Sequence, residues 1–390
     1  MVEFIPNFKD DNAILEIVGD DDNIYHVDFI DIDNDKVLYS SDIGVNHWSK
    51  LSKISEFNVT VKVTLNDEIV FERNKNDKFN KVYVLFGSNA LGDNIAWIPY
   101  VEEYRKTYNT KVILYTNFNY LFDKVYPDII FTDINDPDNI NDVDKKFKID
   151  YGPEFYIKDG KYKTEEWYIV NKKFDNDVEY FDYRTQSLQS NAALILGLSK
   201  NEIVSKVNIP DNNGPKIKGK YVVVAIQSTA QLKYWNNVVG WGRLFDFLKK
   251  NGYKVVIIDK YKSFGTVGFY NEAPKGKNVI FKTGNIPLSE RIIDIKYADM
   301  MITISSGLAW LSWAIGTPVV MISGFTKPWN EFQSNVERVY NDKVCNGCWN
   351  DISVKYDIFN WMSCPRNKAF ECSTSIEPRQ VIDSVKKFMK

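Results

Sequence analysis

Histidine is almost missing from this chain. There are two, His26 and His47, both ahead of residue 50. That excludes a histidine-centred triad, a histidine zinc hydrolase or a histidine general base in the main body. Chemistry there must rest on carboxylates, lysines, backbone amides or the substrate. Long apolar runs are missing too. Nothing approaches the ~18 residues of a spanning helix. The first residues mix acids with apolar side chains and lack a basic stretch ahead of an apolar one, so they do not read as a secretory signal. The expected address is the cytoplasm. No sign of charge dominates: a formal net charge of −3 argues against a nucleic-acid partner held by backbone neutralisation. Cysteine is scarce, and all four fall between positions 345 and 372.

What is present reads as several domains, since 390 residues exceed one ordinary core. Near the start, Val59, Val61, Val63 and Leu65 alternate with Thr60, Lys62 and Thr64, the period of a half-buried strand. Tyr25, Val27 and Phe29 repeat it, and Gly19-Asp20-Asp21-Asp22-Asn23 reads as a turn between strands. These predict an antiparallel β-barrel or sandwich over 1–76, ending in a polar linker. From residue 81 the pattern changes. Val82-Tyr83-Val84-Leu85-Phe86 is an unbroken apolar run, as for a parallel strand covered on both faces. A glycine-containing turn and a helical stripe of Trp97, Val101, Tyr104 and Tyr108 follow, then a strand over 112–115. The same βαβ grammar restarts at Tyr221, with strands over 222–226, 254–258, 300–304 and 319–322. Two doubly wound halves are expected, over 77–212 and 213–340, with a ligand cleft between them at the carboxyl ends of their strands. A four-cysteine segment over 341–375 and a terminal helix over 376–390, opened by a capping box at Thr374-Ser375-Ile376-Glu377, complete the chain. That helix is expected to pack back across the cleft.

Three constellations carry chemistry. In Gly87-Ser88-Asn89-Ala90-Leu91-Gly92-Asp93 a turn opens a helix whose free amides favour anions, and Asp93 either caps that helix or faces the cleft as a catalytic carboxylate. The spacing is not that of a nicotinamide fingerprint. In Gln227-Ser228-Thr229-Ala230-Gln231-Leu232-Lys233, hydroxyls and amides at a strand end, with a lysine beyond, suit a diphosphate; the alternative is a polar turn with a solvated lysine. Ser305-Ser306-Gly307-Leu308 adds a second strand-to-helix anion site, with Trp310 one helical turn on. Cys345, Cys348, Cys364 and Cys372 have spacing that suits a closed tetrahedral metal site, iron or zinc, of structural role. Disulfides, the alternative, are disfavoured in a reducing compartment.

Leu91-Gly92-Asp93, Ser228-Thr229-Ala230 with Lys233, and Ile304-Ser305-Ser306-Gly307-Leu308-Ala309-Trp310 are similar to motifs of the ADP-heptose:lipopolysaccharide heptosyltransferases. The chain more closely resembles the bacterial autotransporter heptosyltransferases, through Ile322-Ser323-Gly324-Phe325-Thr326, Cys345-Asn346-Gly347-Cys348-Trp349, Trp361-Met362-Ser363-Cys364-Pro365-Arg366 and Phe370-Glu371-Cys372. The resemblance implies a GT-B fold: an inverting glycosyltransferase with two Rossmann-like domains that passes heptose from ADP-heptose to Ser or Thr of a protein such as an autotransporter adhesin. It implies Asp93 as base and Lys233 beside the leaving diphosphate. Nucleotide-sugar contacts are expected from Gly92, Ser228, Thr229, Ala230, Gln231, Asp259, Ser305, Ser306, Gly307, Leu308 and Trp310. A homo-oligomer is expected, assembled through the β-domain. Ser305 and Trp310 stand where lipopolysaccharide heptosyltransferases usually carry Asp and His, which points away from a lipopolysaccharide acceptor. Competing readings are transfer to a glycan or lipid-linked acceptor, and a metal-pinned scaffold without activity.

Overall fold

The computed structural model describes residues 2–9, 11–75, 81–141, 143–151, 157–158, 161–162, 174, 182–211, 214–228, 230–264, 271–354 and 363–390. The chain divides into two compact units, Met1–Phe79 and Asn80–Lys390.

The first unit is all β. Strands β1 (Glu3–Lys9), β2 (Asn12–Val18) and β5 (His47–Ser52) form one antiparallel sheet. Strands β3 (Ile24–Asp31), β4 (Lys36–Gly44), β6 (Val59–Leu65) and β7 (Glu68–Asn74) form the other, in the order β4-β3-β6-β7. Alternation puts Ala13, Leu15 and Ile17 from one sheet against Val27, Phe29, Val61 and Val63 from the other. Two sheets sharing one core make a sandwich. The acidic turn at 19–23 carries the chain from one sheet to the other.

The second unit holds two parallel sheets. In the first, β8 (Lys81–Phe86) leads into helix α1 (Leu91–Tyr108), and β9 (Lys111–Tyr115), β10 (Ile129–Thr132) and β11 (Lys145–Ile149) follow. The strand order is β10-β9-β8-β11. Helix α2 (Leu188–Ile195) packs on α1, and Trp97 donates its indole N–H to the Leu188 carbonyl at 3.0 Å.

The second sheet uses β12 (Tyr221–Ala225), helix α3 (Gly240–Lys250), β13 (Lys254–Ile257), β14 (Val279–Phe281), helix α4 (Leu288–Lys296), β15 (Met301–Ile304), helix α5 (Gly307–Ile315), β16 (Val319–Ile322) and β17 (Val336–Val339). Its order is β14-β13-β12-β15-β16-β17. This 3-2-1-4-5-6 sequence reverses direction between its first and fourth strands, as in dinucleotide-binding sheets. β12, β15 and β16 are buried along their whole length, which is why they read as unbroken apolar runs.

The terminal helix corrects two expectations. Helix α6 (Pro378–Lys386) is capped by Glu377, whose box partner is Gln380, not by Thr374. Pro378 forces the residue before it out of helical geometry, and Glu377 sits at φ −77°, ψ 145°. The helix packs on α3, β16 and β17 through Val381 and Val385. It backs the second sheet and does not cross the cleft.

Candidate active site

Both sheets of the second unit present their reversal points to one cavity of about 700 Å³. Its walls come from the turn after β8, the end of β11, the loop after β12, the end of β13 and the turn after β15. These are the carboxyl ends at the strand-order switches, where open parallel sheets bind ligands.

Two helices begin nose to nose at the cavity. A Cβ on Gly92 would meet Trp310 Cδ1 at 3.0 Å and Gly307 Cα at 3.2 Å, and one on Gly307 would meet the Gly92 nitrogen at 3.0 Å. Only glycine at both positions lets α1 and α5 start this close. Each helix leaves its first amides without intrahelical partners, and both positive dipole ends lie on the cavity wall. Ser306 is the N-cap of α5, its hydroxyl accepting from Ala309 N–H at 3.4 Å; Gly307 and Leu308 follow it on the wall.

Asp93 lies in the first turn of α1, buried, on the wall. Its carboxylate accepts from the Ser88 hydroxyl, and Tyr151 lies beside it on the wall. Burial pushes its pKa up; the neighbouring Ser88 and Tyr151 hydroxyls and the Lys233 charge pull the other way. The cap position itself belongs to Ala90, which offers no side-chain cap. Asn94 fixes the turn instead, its amide donating to the Ser88 and Ala90 carbonyls, each at 2.8 Å.

Lys233 approaches from the second sheet, on the short turn Gln231–Lys233. Desolvation lowers its pKa, and the charges of Glu331 and Asp93 raise it. Glu331 is a carboxylate that sequence reasoning missed. It is buried on the wall, paired with Arg338 at 2.6 Å, and accepts from the Ser305 hydroxyl. The cavity therefore sets an ammonium between two carboxylates.

The remaining expected contacts divide. Gly92, Ser228, Asp259, Ser305 and Trp310 line the cavity with the residues above. Asp259 spends both oxygens on the loop, accepting from Ile226 N–H at 2.9 Å and Gln227 N–H at 3.0 Å, and burial pushes its pKa up to about 6. Trp310 is packed edge-on against Trp313 and Phe332 and is 3% exposed, so most of its ring is core. Ala230 and Gln231 are off the wall. Ala230 packs with Cys348 and Phe325, and the Gln231 amide turns to Asn236. Thr229 lies outside the described residues.

Residues 144–350 match the glycosyltransferase family 9 (heptosyltransferase) family. The autotransporter heptosyltransferase Aah of Escherichia coli is 31% identical over 394 residues, covering 97% of this chain and 93% of that protein. This chain belongs to the autotransporter heptosyltransferases. The crystal structure of TibC from enterotoxigenic E. coli H10407, described as a bacterial iron-containing dodecameric glycosyltransferase, superposes with a TM-score of 0.74 at 27% identity, over 99% of this chain and 95% of that one. A second TibC crystal holds ADP-D-beta-D-heptose, with a TM-score of 0.74 at 26% identity and the same coverage of both chains. A more distant relative, BimC of Burkholderia thailandensis, is 26% identical over 96% of this chain and 83% of its own length and is named an inactive autotransporter heptosyltransferase. The protein is thus a glycosyltransferase with the GT-B-like α/β fold. Among the described residues no helix is long and apolar enough to cross a membrane.

The heptosyltransferase's four cysteines are all free thiols, Cys348 and Cys372 buried, Cys345 and Cys364 half-buried. Among the described residues no three His, Cys, Asp or Glu side chains stand close enough to hold a metal, so the closed knot expected from the sequence is not formed here. Burial, then the charges of the other cysteines, pushes the Cys348 thiol up to about 11 and Cys372 to about 12. The two buried thiols are driven towards the neutral form. Other wall residues that the sequence did not single out are Tyr151, Tyr183, Asn191 and Trp349. None of the four belongs to an anion-binding pattern, and Trp349 entered the sequence reading only as part of the cysteine motif.

Proposed function

We propose that this enzyme transfers heptose from ADP-heptose, with inversion, to Ser or Thr hydroxyls of an autotransporter protein. The observation that carries this reading is that Asp93, from the first sheet, and Lys233, from the second, share one cavity with two helix N-termini. The ADP-heptose bound to TibC and the names of the relatives supply the sugar and the acceptor class.

Each group then has a role. An alcohol is a poor nucleophile, so Asp93 accepts its proton as the oxygen attacks the anomeric carbon. The bond from that carbon to the diphosphate oxygen breaks on the opposite face, which inverts the centre. Charge gathers on the departing ADP. Lys233 and the amides at the start of α5 answer it, and no bound divalent ion is required for this. Ser228, Ser306 and Gly307 are proposed donor contacts, and Asp259 holds the loop that carries Ser228.

The residue types and the donors beside them suit a thiolate-bound metal, although the four cysteines are not gathered into a shell here. Arg366 donates to Cys345 Sγ at 3.4 Å and the Lys368 amide to Cys364 Sγ at 3.3 Å, the kind of donors that stabilise anionic sulfur. Cys345, Cys348, Cys364 and Cys372 would hold it, and iron is favoured because TibC is iron-containing. Bound there, the metal supplies structure by pinning the segment. A homo-oligomer, by the example of dodecameric TibC, and a cytoplasmic site of action, where nucleotide sugars are made, complete the proposal.

Co-expression with a candidate autotransporter passenger and mass spectrometry of the acceptor test it. Heptose-sized additions on Ser or Thr are expected. Asp93→Asn should lower the transfer rate by about 100-fold or more, and Lys233→Ala should chiefly raise the KM for donor. Unchanged transfer by Asp93→Asn would remove the carboxylate from the chemistry.

A further inference from the structure

Helix α2 is fixed to α1 by bonds that leave one of its side chains unmatched. Trp97, one turn along α1 from Asp93, donates to the Leu188 carbonyl. Gln189 Nε2 donates to the Ile203 carbonyl at 2.8 Å and to the Ala96 carbonyl at 3.4 Å. The Ser187 and Ser190 hydroxyls bond to each other at 2.8 Å. The chain leading into the helix is tied to the cysteine segment, where Asn350 Nδ2 donates to the Arg184 carbonyl at 3.0 Å and Arg184 donates to the Val354 carbonyl at 3.4 Å. Asn191 differs. Its backbone N–H donates to the Ser187 carbonyl at 3.2 Å and continues the helix, but its buried side-chain oxygen has no partner among the described residues.

Asn191 is 1% exposed and lies on the cavity wall, as does Leu188 one helical turn before it. Among the described residues one other wall side chain, Gln227, carries a buried oxygen without a partner. Gln227 is only half-buried, and its amide donates to the Asn271 carbonyl at 3.5 Å. At Asn191 the fold itself gains nothing from the polar group. A buried acceptor left unpaired costs stability, and asparagine forms helix less readily than leucine or alanine. A residue kept at such a cost on a cavity wall is explained by a ligand that completes it.

We propose that Asn191 binds the acceptor, its carboxamide pairing with a peptide unit beside the Ser or Thr that receives the sugar. The location selects the occupant. Lys233 and the start of α5, which suit the diphosphate, come from the second sheet, whereas α2 packs on the helix that carries Asp93. A molecule lying over α2 is the one that delivers its hydroxyl to Asp93. The chemistry selects it too. A carboxamide offers one acceptor oxygen and two N–H donors, the complement of a peptide carbonyl and N–H, and a Ser or Thr in a polypeptide has a peptide unit on either side. The terminal torsion of asparagine is soft, so the oxygen turns to the cavity when an N–H arrives.

This deepens the proposed function, since it rests on a polypeptide acceptor and on Asp93 as its base. The test uses full-length protein, a purified passenger segment as acceptor, and two variants, Asn191→Leu, close in shape, and Asn191→Ala. Each is expected to raise the KM for the passenger by about 10-fold, the loss of roughly one hydrogen-bonded pair. The KM for ADP-heptose, and its slow hydrolysis when no acceptor is present, should stay at wild-type values. Without ligand, Asn191→Leu should melt about 2 °C or more above wild type, because an unpaired buried group has been removed; a purely structural asparagine would make the same variant melt lower. An unchanged passenger KM in both variants would overturn the proposal. A raised KM for ADP-heptose or slower hydrolysis, with the passenger KM unchanged, would assign Asn191 to the sugar and overturn it as well. Wild-type enzyme that hydrolyses ADP-heptose but modifies no polypeptide would instead remove the acceptor class of the proposed function, and the peptide occupant with it.

Discussion

At the scale of single residues, the site depends on what is absent at two of them. Gly92 and Gly307 face each other where helices from opposite sheets begin, with no room for a methyl group on either. Gly307→Ala should cost about 1–3 kcal/mol in urea unfolding, because overpacking here pushes against backbone. It should also weaken ADP binding in calorimetry by spreading the two helix starts. Asp259 makes a different prediction. Its pKa is about 6 in the fold against an ordinary 3.8, so the folded state holds the extra proton between those values. Its stabilising contribution is therefore full below pH 3.8 and lost as pH rises through about 6. Asp259→Asn should abolish that part of the slope. It should also destabilise by about 1–3 kcal/mol at neutral pH, since an amide has one acceptor oxygen for two loop N–H groups. Asp93, Lys233, Ser306 and Gly307 were legible in the sequence because each follows an apolar strand within a few residues. Glu331 and Trp349 were not, because neither belongs to a strand-to-helix turn with an anion-binding pattern. Ala230 and Gln231, expected at the donor, instead pack with Cys348 and Phe325 and turn to Asn236.

At the scale of elements, apolar runs and alternation located β3, β6, β8, β12 and β16. The strand β11 escaped, since Lys145, Lys146 and Lys148 interrupt it. Lys148 is buried there all the same, its charge met by Asp150 at the strand's end. A lysine in a strand reads as solvent-facing until the partner carboxylate is seen. The start of α6 was misplaced by three residues for a local reason: two acceptable caps stand close together, and Pro378 decides between them. Glu377→Ala should accordingly lower stability by about 0.5–2 kcal/mol in thermal unfolding, while Thr374→Ala should do little to this helix.

At the scale of the whole molecule, the division near residue 80 was visible as a change of period from two to mixed strand and helix. The sandwich has its own core, built from both of its sheets. Residues 1–75 expressed alone should give a cooperative thermal transition by circular dichroism. A broad, non-cooperative melt would mean that this core is too small to stand by itself. Metal at the cysteines has a direct check: elemental analysis of purified protein should find about one iron per chain, and chelation should lower the midpoint of the second unit's transition. The sequence could gather the four thiols by spacing, but spacing carries no information on whether they close into a shell.

The bonds from Asn350 and Arg184 across to each other's segments have a further consequence for traffic. They tie the turn that carries Trp349 to the segment that carries Tyr183, while Asn89, Ala90, Lys260 and Tyr261 lie exposed at the cavity. If the donor passes over those four exposed residues on its way in, spent nucleotide is expected to leave by the same doorway before the next cycle begins.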